Sequence, residues 1–190
     1  ITLKGSSFTS STNPLTGYWE ELNFDGINAT FGSFSDDNID ININSGNVTA
    51  NGDISVDGIV VHSGATFNVA SSSFVSDNLV NIDGTLMIGS GNFSTTGTSD
   101  IDGTLTIDQG FYDANSTFDA TSGIISFTNN GSIKVASSVT SFGDLSISDG
   151  TVIYDGVNQT LKNDSYHNLQ ISNSGIKTVT SVNTIYGNLI

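Results

Sequence analysis

The chain repeats itself about every 20 residues, and this period constrains the fold more than any other feature. The recurring unit is Gly-x-Leu-x-Ile. Clear copies start at Gly84 (GTLMI), Gly103 (GTLTI), Gly123 (GIISF) and Gly143 (GDLSI), a variant at His167 (HNLQI), and a shortened copy at Gly187 (GNLI). Weaker copies start at Gly26, Gly46 and Gly64. From Gly26 to Gly187 the successive spacings are 20, 18, 20, 19, 20, 20, 24 and 20. The 24-residue step between Gly143 and His167 predicts an insertion of about four residues, near Asn158–Asp164.

Each unit holds more than one strand. Apolar residues alternate with small polar ones, as in Ile39-Ile41-Ile43, Leu86-Ile88, Leu105-Ile107 and Leu169-Ile171. Period two is the pattern of a half-buried strand, and no stretch has helical spacing. A second glycine falls six to eight residues after the anchor, at Gly52, Gly91, Gly110, Gly131, Gly150 and Gly175. A second apolar pair follows it, and a third short apolar element precedes the next anchor. Three strands of four to five residues and three turns fill the unit. Such a unit cannot bury its own apolar face. Stacking units so that each strand pairs with its equivalent above and below solves this. The expectation is an all-β chain folded as a parallel β-solenoid of about nine coils with a 19–20-residue repeat, roughly 40 Å long at about 4.8 Å per coil. The alternative is a β-sandwich, which calls for hairpins and about seven strands at 8–12-residue spacing.

Composition fits the stack. Ser, Thr, Asn, Gly and Asp together make up more than half of the chain. These are turn residues, and in a parallel stack they form columns that hydrogen-bond along the rod. The charge is −15, from 19 acids against four lysines and no arginine. Four cations cannot neutralise a row of phosphates, which argues against nucleic acid and anionic lipid as partners. The acidity keeps a rod soluble and resists side-to-side sticking. Without cysteine there is no disulfide framework and no thiolate metal site. No apolar run is long enough for a spanning helix, so no membrane insertion is expected. Residues 26–190 are read as the solenoid. Residues 1–25 lack the motif and hold the only Trp and the only Pro, Trp19 and Pro14. They are read as a cap, a junction or a donated strand. The chain starts at Ile1 without a signal peptide and stops at Ile190 in mid-repeat, as expected of a fragment of a longer chain.

The segment 165–190, SYHNLQISNSGIKTVTSVNTIYGNLI, resembles the Tyr-x-Asn-Leu-x-Ile-x-x-Ser-Gly-x-Lys-Thr…Gly-Asn-Leu repeats of the giant secreted adhesins of gliding bacteria, with similar arrays in archaeal surface proteins. The matching residues are Tyr166, Asn168, Leu169, Ile171, Gly175, Lys177, Thr178, Gly187, Asn188 and Leu189. The close match extends back over 150–164, GTVIYDGVNQTLKND. The resemblance implies an extracellular, cell-surface location and a shaft or stalk rather than a catalytic centre. Its partners would be neighbouring repeats or identical subunits end to end, with surface glycans as a further candidate.

Candidate sites follow from residue type. The residue before each anchor runs Asp83, Asp102, Ser122, Phe142, Tyr166, Tyr186. It is out of phase with the inward positions, so Phe142, Tyr166 and Tyr186 are expected to form an outward aromatic stripe, which binds sugar rings or a partner, only stiffens the rod, or is a packed turn. Tyr18 and Trp19 form a second aromatic spot. Asp36, Asp37 and Asp40 lie in the densest acidic loop and are the candidate calcium ligands, calcium being the one cofactor considered. The pairs Asp36/Asp37, Asp100/Asp102 and Asp83/Asp102 have the makings of acid–base catalysis. With no arginine and scattered lysines, the expectation is a protein that is not an enzyme. His62 and His167 show no zinc spacing. Seven glycosylation sequons occur, at Asn28, Asn47, Asn92, Asn115, Asn130, Asn158 and Asn163, a number that chance nearly supplies in so Asn-, Ser- and Thr-rich a chain. Ice binding needs Thr-x-Thr in register on many coils, and the sequence offers only Thr104/Thr106 and Thr178/Thr180, which are not a ladder and argue against it. The functional expectation is a structural segment of an adhesin or filament; the alternative is a carbohydrate-binding or carbohydrate-active β-helix module.

Overall fold

The computed structural model describes residues 1–4, 7–10 (backbone), 20–181 and 184–190. Among them every strand pairing is parallel, and there is no helix. The chain is a β-solenoid of about nine turns with a spacing of about 19 residues. Each turn lays down three short strands, one on each of three faces. Face one stacks Ser7–Ser10, Asn28–Phe31, Gly46–Ala50, Ala65–Asn68, Thr85–Ile88, Thr104–Ile107, Ile124–Phe127 and Asp144–Leu145. Face two runs from the start of Phe34–Ile43 through Ser73–Ser76, Asn92–Thr95, Phe111–Ala114, Ser132–Val135 and Thr151–Tyr154 to Asn168–Ile171. Face three runs from Thr2–Lys4 through Glu21–Asp25, Val80–Ile82, Ser99–Ile101 and Phe118–Asp119 to Val139–Ser141. In the early coils one long strand turns the corner between faces two and three, as in Phe34–Ile43 and Ile54–Val61.

Alternation decides which side chains fill the tube. On face one Val48, Phe67, Leu86, Leu105, Ile125 and Leu145 stack in one inward column, all buried. Identical register on every coil lets one choice of residue serve the whole column. Aromatic rings run through the core in the same way. Phe67, Phe74, Phe93, Tyr112, Phe118 and Phe142 form an unbroken chain of contacts, with neighbouring centroids 4.8 to 5.9 Å apart. Such pairs add roughly 0.5–1.5 kcal/mol each beyond their burial. Where a turn sits above a turn the backbones approach closely. Gly150 shows why glycine is needed: its φ is +82°, and a Cβ there would overlap the Phe127 ring.

The structure relocates two features. Thr2–Lys4 pairs in register with Asn23–Asp25, and Ser7–Ser10 with Asn28–Phe31, so segment 1–25 contributes strands to the stack. Pro14, Tyr18 and Trp19 lie outside the described residues. No insertion separates Gly143 from His167. Asn168 pairs with Thr151, and Thr151 with Ser132, so His167 stands in the turn before face two, the column of Gly131 and Gly150. Gly143 belongs to the turn before face one. The long step therefore joins two different columns. It crosses from Gly143 to Gly150 within one coil, and then runs one short coil from Gly150 to His167. The same motif serves both faces, because each asks for a turn followed by two inward apolar residues.

Candidate functional site

The aromatic stripe is not on the surface. Phe142 and Tyr166 are fully buried, and only Tyr186 is exposed, at 58%. A bulge explains Phe142. Phe118 pairs with Val139 but Asp119 pairs with Ser141, so one extra residue, Thr140, sits on the later coil. In a period-two strand one extra residue exchanges inside for outside. Phe142 thus points inward, against Phe118 and Tyr166. Tyr166 is held by its hydroxyl, which donates to Lys162 O at 2.6 Å and lies 3.2 Å from Tyr154 Oη. Tyr154 Oη in turn accepts from Lys162 N at 2.9 Å. Burial pushes the Tyr154 and Tyr166 phenols above the ordinary tyrosine range. These rings are core.

The acidic loop at 33–40 is a corner, not a cage. Asp36 Oδ1 accepts from Asn38 N and Nδ2 at 3.1 and 3.2 Å, a local turn bond. Asp37 Oδ1 accepts from Ser55 Oγ at 3.4 Å on the next coil. Asp40 packs over Gly58, and burial, then Asp57 and Glu21, raises its carboxyl above the ordinary range. Asp36, Asp37 and Asp40 do not converge. Among the described residues no group of three or more His, Cys, Asp or Glu side chains is arranged to hold a metal ion. Of the proposed carboxylate pairs, Asp83, Asp100 and Asp102 do neighbour one another on face three, together with Asp119. Slight burial first, then Asp102, Asp119 and Asp83, raises Asp100. The charges raising it are all acidic, so the group is a patch of mutual repulsion.

A groove of about 560 Å³ marks the place where face three loses its ladder. Val139–Ser141 pairs with the coil before it, and Gln159–Leu161 with the coil after it, but among the described residues the two strands do not pair with each other. Long side chains bridge the gap. Gln159 is buried; its Nε2 donates to Val135 O and Ser137 O at 2.7 and 3.1 Å, and its Oε1 accepts from Gly156 N at 2.7 Å. Lys162 Nζ donates to Thr140 O. Lys177 Nζ donates to Gly156 O and to Gln159 Oε1. Sequence reading missed Gln159 and Lys162. The available signal was the arrival of two long polar side chains in a repeat otherwise built from short ones.

The outward side of face one carries no charge from Asn28 to Ser126. Its two columns read Asn28, Asn47, Thr66, Thr85, Thr104, Ile124 and Thr30, Thr49, Asn68, Met87, Thr106, Ser126. Thr104/Thr106 lies here, whereas Thr178 lies on a different strand stack. The ladder is thus longer than Thr-x-Thr pairs suggest, but mixed, with asparagines in both columns and Met87 in one. Face three, by contrast, carries Glu21, Asp40, Asp100 and Asp119. The sequons sit at the surface: Asn28, Asn47, Asn115, Asn130, Asn158 and Asn163 are exposed and Asn92 is half-buried. Asn47 Nδ2 donates to Asn28 Oδ1 at 3.1 Å, a rung of the asparagine column. His62 is exposed, and His167 Nδ1 lies 3.1 Å from Ile147 O, a turn contact. No helix of the described residues is long and apolar enough to cross a membrane. In comparisons with family models, with curated proteins and with solved structures, the chain matches none.

Proposed function

We propose that this chain is a structural segment of an extracellular cell-surface adhesin or filament, whose work is to extend and stiffen a shaft. The observation that carries the reading is the continuity of the core. From Phe67 to Phe142 an aromatic chain runs unbroken through consecutive coils, and where face three loses its ladder the side chains of Gln159 and Lys162 bridge the coils. Bending such a rod means separating strands that are hydrogen-bonded on both sides. The side chains outside the core belong mostly to ladders and turns, and this reading assigns no catalysis. The likeness of residues 165–190 to giant adhesin repeats supports the surface location. Immunogold electron microscopy of the producing cells tests it: label along long uniform surface fibres is expected, and label confined to the cytoplasm overturns it.

The charge-free outer side of face one favours a second reading, a module that binds uncharged glycans. Hydroxyl and amide groups at regular spacing suit sugar hydroxyls. Binding to neutral insoluble polysaccharides that is lost in Thr85→Lys and Thr104→Lys variants would support it, and no binding would remove it.

A further inference from the structure

We propose that the gap in face three is a strand-accepting slot, in which an extended acidic peptide lies parallel between Val139–Ser141 and Gln159–Leu161. The slot is inside the stack, between strands that are each paired on their other side. Three observations meet there.

Both walls are strand edges without a strand between them. Among the described residues Val139–Ser141 pairs only with Phe118–Asp119, and Gln159–Leu161 only with Lys177–Val179. Next in chain order, Asp144–Leu145 and Ser165–Tyr166 stand on either side of the same boundary and do not pair with each other. Face two alone crosses it, where Thr151–Tyr154 pairs with Asn168–Ile171. The open edge still draws donors. Ser137 O accepts from Gln159 Nε2, and Thr140 O accepts from Lys162 Nζ. An open parallel edge is a template for another strand, and an incoming backbone N–H can take the place of Lys162 at Thr140 O.

The core is thin at the same place. Phe118 and Val139 pair in register, yet Phe118 is fully buried and Val139, packed against the core, is only half-buried. Leu161, across the gap, is buried. A small apolar side chain reaching in from an added strand would cover Val139. The slot holds about 560 Å³, within the roughly 300–1,000 Å³ that ligand sites occupy. Its walls are three residues long, which matches about 10 Å of extended chain.

Charge selects the occupant. The chain carries −15 overall, yet the slot is lined by Lys162 and by no carboxylate. Asp164, whose carboxyl feels Lys162, lies outside the lining and accepts from Ser165 N at 2.8 Å. The fitting peptide alternates, with small apolar side chains inward and acidic ones outward beside Lys162. Repulsion from the other acids of the rod is screened beyond about 8 Å at physiological salt.

The test is an amide-resolved NMR titration of the whole chain with acetyl-(Val-Asp)3-amide, up to about 1 mM, the weak end of the affinity scale. Controls are acetyl-(Val-Lys)3-amide, the acidic peptide N-methylated on alternate residues, and cellohexaose. With the acidic peptide, shifts confined to 136–141 and 158–163 are expected, with slower exchange of the Val139–Ser141 amides. The N-methylated peptide lacks donors for one wall and should not bind. Lys162→Gln keeps a donor for Thr140 O and should weaken the acidic peptide about two- to fivefold, as for one exposed ion pair. Lys162→Glu should reverse the preference in favour of the lysine peptide. Circular dichroism identical to the parent chain shows that a variant is folded, and Lys162→Gln decides the point if the reversal variant unfolds. No shift up to about 1 mM, shifts outside the slot, equal binding of the N-methylated peptide, or folded Lys162 variants without effect each overturn the proposal. Shifts at the slot with cellohexaose and not with the peptide overturn it too, and give the slot to a glycan.

Discussion

The coils between Gly84 and Val135 and those between Ala136 and Ile190 obey the same grammar with different results. In the first region three ladders run side by side, and equivalent residues recur at nearly constant spacing on every face. In the second, face three breaks, and the step on face two is shorter from Thr151 to Asn168 than from Ser132 to Thr151. Gln159 and Lys162 there substitute for missing backbone bonds. A column of identical side chains holds register only while each coil has the same length. When the length changes, a few long polar side chains hold the coils together. Side-chain hydrogen bonds are local and do not propagate, so the second region should open independently of the first.

The same cavity made in both regions should have unequal effects. Leu105→Ala, in the middle of an intact column, should cost about 2–5 kcal/mol in urea unfolding. Leu169→Ala, beyond the break in face three, should cost distinctly less of the global transition and appear instead as faster amide exchange over 150–190. Equal global costs would show that the rod unfolds as one unit. Next in size, Gln159→Ala strips donors from Val135 O and Ser137 O, and should cost about 1–3 kcal/mol. Its effect on exchange should stop short of Gly131; protection lost throughout the chain would contradict the side-chain bridge. Tyr112→Phe removes the 2.8 Å donation to buried Ser99 Oγ and should lower stability by about 1 kcal/mol in the first region, without disturbing the Tyr154–Tyr166 pair of the second.

The smallest effect is electrostatic and sharpens the comparison by face. Asp40 and Asp100 are raised above the ordinary aspartate value by burial and by neighbouring acids. The native state therefore holds these protons more tightly than the unfolded chain does. That contribution favours folding most below the unfolded value and weakens as pH rises through the carboxylate range to above the native value. The midpoint of thermal unfolding should rise as pH is lowered from neutral into that range, and Asp100→Asn should flatten the slope. A midpoint that falls over the same interval would show that other carboxylates dominate.

The repeat period, the three strands per unit and most inward Leu/Ile positions are legible in the sequence, because parallel stacking prints one coil's needs onto the next; Ile147, in an inward position of the Gly143 repeat, is instead 41% exposed. Phase was not legible where a single residue changed it. Thr140 exchanges inside for outside, so Phe142 looked external and is core. The motif at His167 looked like the face-one anchor because both faces use the same spacing of inward apolar residues, and only the pairing of Asn168 with Thr151 places it on face two. Asp36, Asp37 and Asp40 are neighbours in sequence, but the ladder shifts register between Asp36 and Asp40, and they form no metal-holding group. The outer columns of face one were hidden because asparagine and threonine exchange positions from coil to coil, and a search for Thr-x-Thr passes over them.

Each repeat is one coil, stacked in parallel on the next. The chain has no cysteine, so introduced pairs report on it cleanly. Thr85→Cys with Thr104→Cys places two thiols side by side on adjacent coils, at a strand spacing of about 4.8 Å that a disulfide spans. Thr85→Cys with Ile124→Cys places them two coils apart, at about twice that distance. Under mild oxidation of dilute protein, rapid intramolecular cross-linking is expected in the first pair and none in the second. Cross-linking in the second pair, or in neither, would contradict it.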